Sequence, residues 1–449
     1  MKQTILIKNA TIINEGKTIV ADVLIEDEII KGIGNFPIAS DYIVIDGEGK
    51  HLLPGIIDAQ VHFREPGLTH KADIYTESKA AVAGGTTSFM EMPNTIPNAL
   101  TIDILEEKYA IATKKSWCNY SFFLGISAGN EAAWKEVNTE TVCGITDDGL
   151  YFTEKGMMLC SNPQLMKKVF SEAEILIAIH SEDEDVLEEN KLHYQKVFGE
   201  NIPFEYHPLI HSDEACFIAT KKAIALAEKF NTRLHILHLS TAKEAKLFRN
   251  DIPLTEKKIT TEVCIHHLWF CDEDYKMLGA KIKWNPAIKT KVDRDELWKA
   301  LLDDRIDIIT TDHAPHTIEE KSKSYLQCPS GAPMVQHSLI AMLEFYHQGK
   351  ISLEKIVEKM CHNPAILYKI RNRGFIREGY CADLILIDLN SPNTVSKENI
   401  LYKCGWSPFE GQTFQSKITH TFVNGNLVYE NGNFFQFIPG QRLKFNTQE

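Results

Sequence analysis

The chain has 449 residues, of which 44% are hydrophobic and 24% charged, and its formal net charge is −13 at pH 7. This composition is typical of a globular protein, and the negative charge argues against nucleic acid or an anionic membrane as a partner. No apolar run approaches the roughly 20 residues that span a bilayer. Because the N-terminus lacks a signal-peptide pattern and the ten cysteines contain no CxxC pair, we expect a cytoplasmic protein with reduced thiols.

Short apolar runs separated by turn residues occur at both ends of the chain. Between residues 4 and 34, the runs 5–7, 11–13 and 23–25 alternate with turn material, which is typical of β-hairpins. Near the other end, residues 382–387 form a candidate strand, and Asn424-Gly425 between apolar runs is a strong hairpin signal. Because edge strands need partners, we predict one discontinuous β-sandwich domain that is built from residues 1–53 and 377–449.

The middle of the chain, residues 54–376, alternates strand-like apolar runs with helical patterns such as Asp213–Phe230 and Lys291–Asp304. This alternation favours a parallel sheet, either doubly wound or closed into a barrel. Polar side chains follow the apolar runs, where a barrel keeps its active site. We therefore predict an α/β fold with a (β/α)8 TIM-like barrel. Its candidate strands are Thr86–Met92, Ser121–Ile126, Ile175–His180, Arg233–Leu239, Ile259–Ile265 and Asp307–Thr311.

The first cluster of chemically capable side chains contains Gln60, His62 and Arg64. Residues two apart on a strand point to the same face, so these three side chains are predicted to face the barrel mouth together. A single strand histidine is more often structural. An arginine in the same row, with a Pro-Gly pair ending the strand, favours a functional site.

Later strand candidates also end in possible metal ligands. Taken singly, several have structural explanations: Asp147 could cap a turn, and His235 faces away from His238. His266 and His267 are interpreted as structural or as neighbours of a site. Taken together, imidazoles and carboxylates at successive strand ends form the mixed set that catalytic zinc favours. Such a metal lowers the pKa of its water to about 7, and a carboxylate could then shuttle the proton. The residues from which such a set could be drawn are His62, Asp147, Asp148, His180, His238, Asp312, His313 and His316.

Several of these stretches occur together in one known family. They are Asp58–Gly67, Met92-Pro93-Asn94-Thr95, His180 with Glu182-Asp183, His238-Leu239-Ser240-Thr241 and Thr311-Asp312-His313-Ala314-Pro315-His316. Together they resemble the dihydroorotases of the amidohydrolase superfamily, and the likeness covers most of the chain. The Arg-Glu-Pro-Gly and Asp-His-Ala-Pro-His stretches are its most specific part. Dihydropyrimidinases and allantoinases share the fold and the metal site but usually lack the first stretch, so they are the alternative.

The resemblance implies a reaction, the reversible interconversion of N-carbamoyl-L-aspartate and L-dihydroorotate in pyrimidine (UMP) synthesis. In the ring-opening direction, metal-activated hydroxide attacks the cyclic amide carbonyl. Asp312 takes the proton from that water and passes it to the leaving ring nitrogen. The loop near residues 329–331 resembles the one that covers the pyrimidine ring. The residues that match the family's substrate contacts are Arg64 and Asn94, for the carboxylate, and Asn285 and His316.

Two positions of the family pattern decide how firmly this chain could hold metal. The family has His-x-His after the first strand, and here the first histidine is replaced by Gln60. An amide oxygen is a weak zinc ligand, so the metal position served by both histidines is expected to be weakened. The bridging ligand is a carboxylated lysine in some members and an aspartate in others. Counting back from residues 156–159 selects Asp148, and the Asp-Asp-Gly stretch selects it too.

The resemblance therefore implies two unequal metal positions. The most complete ligand set is Asp148, His180 and His238. A second, looser metal could use His62, Asp148 and Asp312. We predict one firmly bound Zn²⁺ and a second site that is weak or absent. The alternative is a single metal displaced toward His62 and Asp312.

Three functions stay open at this point. The first is an active dihydroorotase that acts on a small molecule and, as is usual for the family, forms a homodimer. The second, motivated by Gln60, is a catalytically silent dihydroorotase-like subunit that supports another enzyme such as aspartate carbamoyltransferase. The third is another cyclic-amide hydrolase. Arg64 argues against the third, because an uncharged hydantoin ring needs no carboxylate clamp.

Overall fold

The computed structural model describes residues 4–150 and 159–447. Its N-terminal segment forms five strands: β1 Thr4–Asn14, β2 Lys17–Glu26, β3 Ile29–Gly34, β4 Ile43–Asp46 and β5 His51–Pro54. β1, β2 and β3 are consecutive antiparallel neighbours, which confirms the predicted hairpins. The apolar runs 5–7 and 11–13 lie in a single strand, β1, on either side of an irregularity between Ile7 and Ala10.

The middle of the chain forms the barrel. Its strands are β6 Ile56–Val61, β7 Thr86–Glu91, β8 Asn119–Phe122, β9 Leu124–Gly125, β10 Ile145–Thr146, β11 Ile177–Ile179, β12 Leu234–Ile236, β13 Ile259–Cys264 and β14 Ile308–Thr310. Sequential strands pair in parallel from β6 to β8 and from β9 to β14, and β8 and β9 follow one another across Phe123. A parallel bridge between Val61 and His313 brings the end of β14 back to β6. The described strands thus close into the predicted (β/α)8 barrel.

Helices follow the barrel strands on the outside. Their bounds are α1 Ile74–Ala83, α2 Ile102–Lys115, α3 Glu131–Glu136, α4 Pro163–Glu172, α5 Glu184–Phe198, α6 His207–Ile210, α7 Asp213–Phe230, α8 Ala242–Ala245, α9 Ile265–Trp269, α10 Tyr275–Leu278, α11 Lys291–Leu302, α12 Ile318–Lys321, α13 Ser338–His347, α14 Leu353–Val357 and α15 Asn363–Leu367. α7 has its predicted bounds because Ser212 caps its N-terminus and left-handed Asn231 ends it. α11 ends two residues before the predicted Asp304. Among the described helices, none is both long and apolar enough to cross a membrane.

The C-terminal segment adds strands β15 Leu384–Asp388, β16 Asn393–Thr394, β17 Thr413–Phe414, β18 Lys417–Val423, β19 Asn426–Glu430 and β20 Asn433–Phe434. The predicted hairpin joins β18 to β19, and Asn424 and Gly425 have the positive φ values of 48° and 73° that such a turn requires. β15 pairs antiparallel with β5, so both termini share a nine-stranded sheet in the order β20-β19-β18-β15-β5-β1-β2-β3, with β4 beside β1. The expectation of a β-rich domain made from both termini is confirmed.

The terminal sheet packs against the barrel through α1. Buried Ile385 and Ile387 of β15 belong to the same apolar cluster as Ala80 and Val82 of α1, and the Thr421 hydroxyl donates to the Val82 carbonyl. This contact lies away from the carboxyl ends of the barrel strands, where the polar side chains gather. The segment 156–158 that helped to select Asp148 from the sequence lies outside the described residues.

Candidate active site and metal centre

A cavity of about 580 Å³ opens at the carboxyl ends of the barrel strands. Seven of the nine predicted site residues line it, and His180 and His238 lie buried beneath. The cavity is lined on its outer side by the loop 325–331, which includes the segment predicted to cover the substrate ring. The predicted residues that line it are His62, Arg64, Asn94, Asp148, Asn285, Asp312 and His316.

Asp148, His180 and His238 converge at the base of this cavity. Nδ1 of His180 lies 3.1 Å from Nε2 of His238, and Oδ1 of Asp148 lies 3.7 Å and 3.6 Å from these two nitrogens. All three side chains are buried. One carboxylate oxygen and two imidazole nitrogens at such separations match the donor set of a catalytic zinc site.

Glu182 orients His180 from behind and is a residue to which the sequence interpretation assigned no role. Oε2 of Glu182 lies 2.8 Å from Nε2 of His180, so that nitrogen donates its proton to the carboxylate and Nδ1 is left to face Asp148 and His238. Glu182 also accepts from Nδ1 of His211. A carboxylate that fixes the tautomer of a metal-binding histidine is a recurrent feature of such sites. The available sequence signal was a glutamate two residues after the histidine.

His62 joins Asp148 and Asp312 in a second convergent group. Nε2 of His62 lies 3.3 Å from Oδ2 of Asp148 and 3.1 Å from Oδ1 of Asp312. Asp148 therefore presents one carboxylate oxygen to each group. His62, Asp148 and Asp312 are the residues expected to form the looser metal position.

The electrostatics of this cluster fit a bound cation. Burial disfavours the imidazolium form, yet the neighbouring carboxylates raise the pKa of His62 and of His238 to about 9. Burial likewise opposes ionisation of Asp148, but its contacts with His238 and His62 hold the pKa of that carboxyl well below its usual range. The carboxylates thus draw positive charge toward the cluster, and a divalent cation would neutralise the same field.

Gln60 lies on β6 and, unlike His62 and Arg64, is not among the residues that line the cavity. Its amide oxygen lies 3.7 Å from Sγ of Cys264, and its buried amide nitrogen has no hydrogen-bond partner among the described residues. β6 ends at Val61, so the strict alternation that places residues 60, 62 and 64 on one face does not continue into the residues that follow.

Arg64 and His316 lie beside one another in the cavity. Nε of Arg64 donates to the Pro315 carbonyl, and a terminal guanidinium nitrogen lies 3.2 Å from Nε2 of His316. Nδ1 of His316 accepts from Lys71, and its Nε2 lies 2.9 Å from the Ser330 carbonyl. Burial and the neighbouring Arg64 hold the pKa of His316 well below its usual range, so the ring is neutral. This arrangement offers a carboxylate one buried guanidinium and one neutral imidazole.

Two buried lysines hold the loop 325–331 by its backbone. The ammonium group of Lys321 donates to the carbonyls of Pro329 and Gly331, each at 2.9 Å. The ammonium group of Lys283 donates to the carbonyls of Tyr325 and Cys328. Burial lowers the pKa of Lys283 to about 8 and of Lys321 to about 7. Sequence patterns gave no indication of these contacts, because exposed lysines are the general rule.

Three residues of the site occupy the left-handed region of backbone conformation: Arg64 at φ 69°, His238 at φ 36° and Asp312 at φ 45°. For a residue other than glycine, such a conformation costs of the order of 1–3 kcal/mol and is concentrated at functional sites. Each of the three follows the end of a barrel strand, where the chain turns its side chain away from the direction that the strand would give.

Sequence comparison places the chain among metal-dependent hydrolases. The profile of the amidohydrolase family matches residues 51–428. The chain is 33% identical to a dihydroorotase of Bacillus pumilus over 440 residues, which are 95% of this chain and 98% of the relative. It is 31% identical to a dihydroorotase of Clostridioides difficile, over 95% of this chain and 99% of the relative. A dihydroorotase of Bacillus subtilis is 33% identical, with 95% and 98% covered.

Structural comparison finds the same architecture in hydantoinases and dihydropyrimidinases. An L-hydantoinase (dihydropyrimidinase) from Arthrobacter aurescens superimposes with a TM-score of 0.90 over 99% of this chain and 100% of that chain, at 23% identity. A dihydropyrimidinase from Brevibacillus agri superimposes with a TM-score of 0.84 over 97% and 96%, at 26% identity. Because the Arthrobacter enzyme is only 23% identical to this chain, that likeness concerns the fold alone.

Proposed function

The chain belongs to the amidohydrolase family, and we propose that it is a dihydroorotase, which interconverts N-carbamoyl-L-aspartate and L-dihydroorotate. The observation that carries this proposal is the placing of buried Arg64 beside His316 in the cavity whose base holds Asp148 and Asp312. A substrate with both a carboxylate and a cyclic amide matches a cavity with a carboxylate clamp and a hydrolytic centre. The dihydroorotase relatives cover nearly the whole chain, which supports the same function.

The ligand set proposed for one firmly bound zinc is Asp148, His180 and His238, with His62, Asp148 and Asp312 as a weaker second position. The contact between Gln60 and Cys264 supports a weak second metal position, because the amide oxygen of Gln60 already has the Cys264 thiol as a neighbour. When bound, zinc would lower the pKa of a water and polarise the amide carbonyl.

In the mechanism that we propose, the residues of this chain position the substrate and move its proton. Arg64 and His316 receive the ring carboxylate, helped by the amide group of Asn94 and by Asn285. Burial raises the pKa of Asp312, while contact with His62 lowers it. A buried carboxylate under these opposing influences suits a group that accepts a proton from water and returns it to the leaving ring nitrogen. The loop 325–331 excludes water from the ring.

The decisive experiment is an assay of L-dihydroorotate ring opening by the purified chain, as isolated and after zinc reconstitution. Asp312→Asn is the matched control, and hydantoin is the substrate without a carboxylate. Turnover of dihydroorotate that is lost in Asp312→Asn supports the proposal. A preference for hydantoin would assign the chain to the hydantoinase group. No turnover in either metal state would instead favour the silent partner subunit that Gln60 motivates.

The proposal also covers the location of the protein in the cell, its oligomeric state and its partner. We propose a cytoplasmic homodimer, with aspartate carbamoyltransferase as the partner to test if the chain proves inactive. Sedimentation analysis of the purified chain, alone and mixed with that enzyme, checks the homodimer and the partner. A monomer that does not co-sediment would contradict them.

A further inference from the structure

A second group of metal-binding side chains lies in the barrel wall, outside the substrate cavity. Cys264 is the last residue of β13, and His266 and His267 follow in α9. One donor atom of each lies within 4.8 Å of the others, and all three side chains are buried. None of them lines the cavity, and His238 is close enough to influence the pKa of both histidines.

The two histidines have unused hydrogen-bonding capacity. Nε2 of His267 donates to the Pro286 carbonyl at 3.2 Å, which leaves the lone pair on Nδ1, and Nδ1 has no hydrogen-bond partner in the structure. Burial lowers the pKa of His266 and a backbone hydrogen bond with Thr311 opposes that shift, but among the described residues neither ring nitrogen has a partner that meets the ordinary geometric limits. Trp284 stacks on the face of His266, with ring centroids 4.0 Å apart and planes at 6°, so only the edge of that imidazole is left for a ligand. Buried polar atoms without partners are rare and require an explanation.

The charges around the group favour a cation. Burial, with the nearby carboxylates of Glu262, Asp312 and Asp58, raises the pKa of the Cys264 thiol well above its usual range. Burial also lowers the pKa of His266 and of His267, so both imidazoles are neutral and able to donate a lone pair. A divalent cation in this place would be attracted by the same carboxylates that oppose a free thiolate.

We propose that Cys264, His266 and His267 form a structural binding site for a thiophilic divalent cation of the zinc type, with a ligand set distinct from Asp148, His180 and His238. Thiolate and imidazole are the ligands that such cations prefer in closed sites. Binding forms one metal–sulfur bond and two metal–nitrogen bonds, and the thiol proton is released to solvent. The amide oxygen of Gln60, 3.7 Å from Sγ of Cys264, is a neutral neighbour of this site.

Zinc X-ray absorption on the unmodified protein tests the site without any substitution. The ligands of the hydrolytic centre, Asp148, His180 and His238, supply only nitrogen and oxygen, at about 2.0–2.2 Å from zinc. A sulfur neighbour at about 2.3 Å can then arise only from a cysteine. A zinc–sulfur distance in the spectrum of the fully zinc-loaded protein supports the proposal. A spectrum that shows only nitrogen and oxygen neighbours overturns it.

Cobalt substitution identifies the cysteine. Metal-depleted full-length protein is titrated with Co²⁺, and the thiolate-to-cobalt charge-transfer band in the near ultraviolet is followed. The band should saturate at one cobalt ion per protein chain bound through the thiolate. It should disappear in Cys264→Ser and remain in Cys361→Ser, whose buried thiol donates a hydrogen bond to the Pro54 carbonyl. A band that survives Cys264→Ser, or its absence from the unsubstituted protein, overturns the proposal. Because the readout is spectroscopic, it does not depend on dihydroorotase activity.

Discussion

The side-chain oxygen of Asn94 lies 2.7 Å from Nδ1 of His62. His62 therefore donates its Nδ1 proton to Asn94 and turns Nε2 toward Asp148 and Asp312. The resemblance assigned Asn94 to the substrate carboxylate, but in this structure its oxygen is engaged by His62 and only its amide NH₂ group faces other partners. Asn94 thus connects His62, a proposed metal ligand, to the cavity, which it lines.

Two substitutions separate these tasks of Asn94. Asn94→Asp keeps an acceptor for His62 but places a negative charge where a substrate carboxylate binds, so KM should rise while metal content stays normal. Asn94→Ala removes the acceptor as well, so occupancy of the weaker metal position should also fall. Steady-state kinetics and metal analysis of both variants check this. Equal metal content in the two variants would contradict the positioning of His62 by Asn94.

Asp312→Asn should lower kcat by about 10²- to 10⁴-fold, because general acid–base catalysis contributes about that much. The substitution conserves volume, and circular dichroism should show an unchanged fold. Asp147→Asn is a useful comparison, since Asp147 accepts backbone hydrogen bonds from Leu159 and His180 and does not line the cavity. If Asp312→Asn turned over substrate at nearly the normal rate, another group would have to move the proton.

Arg64→Met should raise KM for L-dihydroorotate by about 10- to 100-fold, since hydrogen bonds to a charged group contribute about 1.5–3 kcal/mol. The turnover of a cyclic amide without a carboxylate should change much less. The ratio of the two kcat/KM values is the measurement. A parallel loss for both substrates would mean that Arg64 acts on the fold of the cavity rather than on the carboxylate.

Lys321→Met should loosen the loop 325–331, because it removes the donor from the Pro329 and Gly331 carbonyls while retaining most of the side-chain volume. We expect a higher KM and a free energy of unfolding lower by about 1–3 kcal/mol, the cost of leaving buried carbonyls unsatisfied. Exposed Lys323→Met is the matched control. Urea unfolding and kinetics of the pair decide the matter, and identical behaviour of both variants would speak against the role of Lys321.

Removal of single ligands should separate the two metal positions. His180→Ala should lose the firmly bound zinc, because His180 contacts both His238 and Asp148. His62→Ala should retain that zinc while losing any second equivalent. Metal analysis after dialysis measures both. Loss of all hydrolytic zinc in His62→Ala would favour the single displaced metal near His62 and Asp312.

The local pattern of the sequence predicted most of the fold. Alternation of apolar runs with helical periodicity is a short-range property, and it located the barrel strands, α7 with both its ends, and the Asn424-Gly425 hairpin. Parallel topology then brings the carboxyl ends of the strands to one edge. For this reason Asp148, His180, His238 and Asp312 could be expected to converge before any distance was known.

The sequence by itself thus determined the fold class and the family, and it predicted the members of the hydrolytic site, because these depend on periodicity and on motifs of fixed spacing. Only the tertiary structure decided how those members are supported. Asn94 on His62, Glu182 on His180, Lys321 beneath the loop, Gln60 against Cys264 and the Cys264-His266-His267 group all depend on burial and on side-chain direction at the ends of strands. Contacts of this kind join residues that have no regular spacing along the chain, and their strength comes from the exclusion of water that folding alone produces.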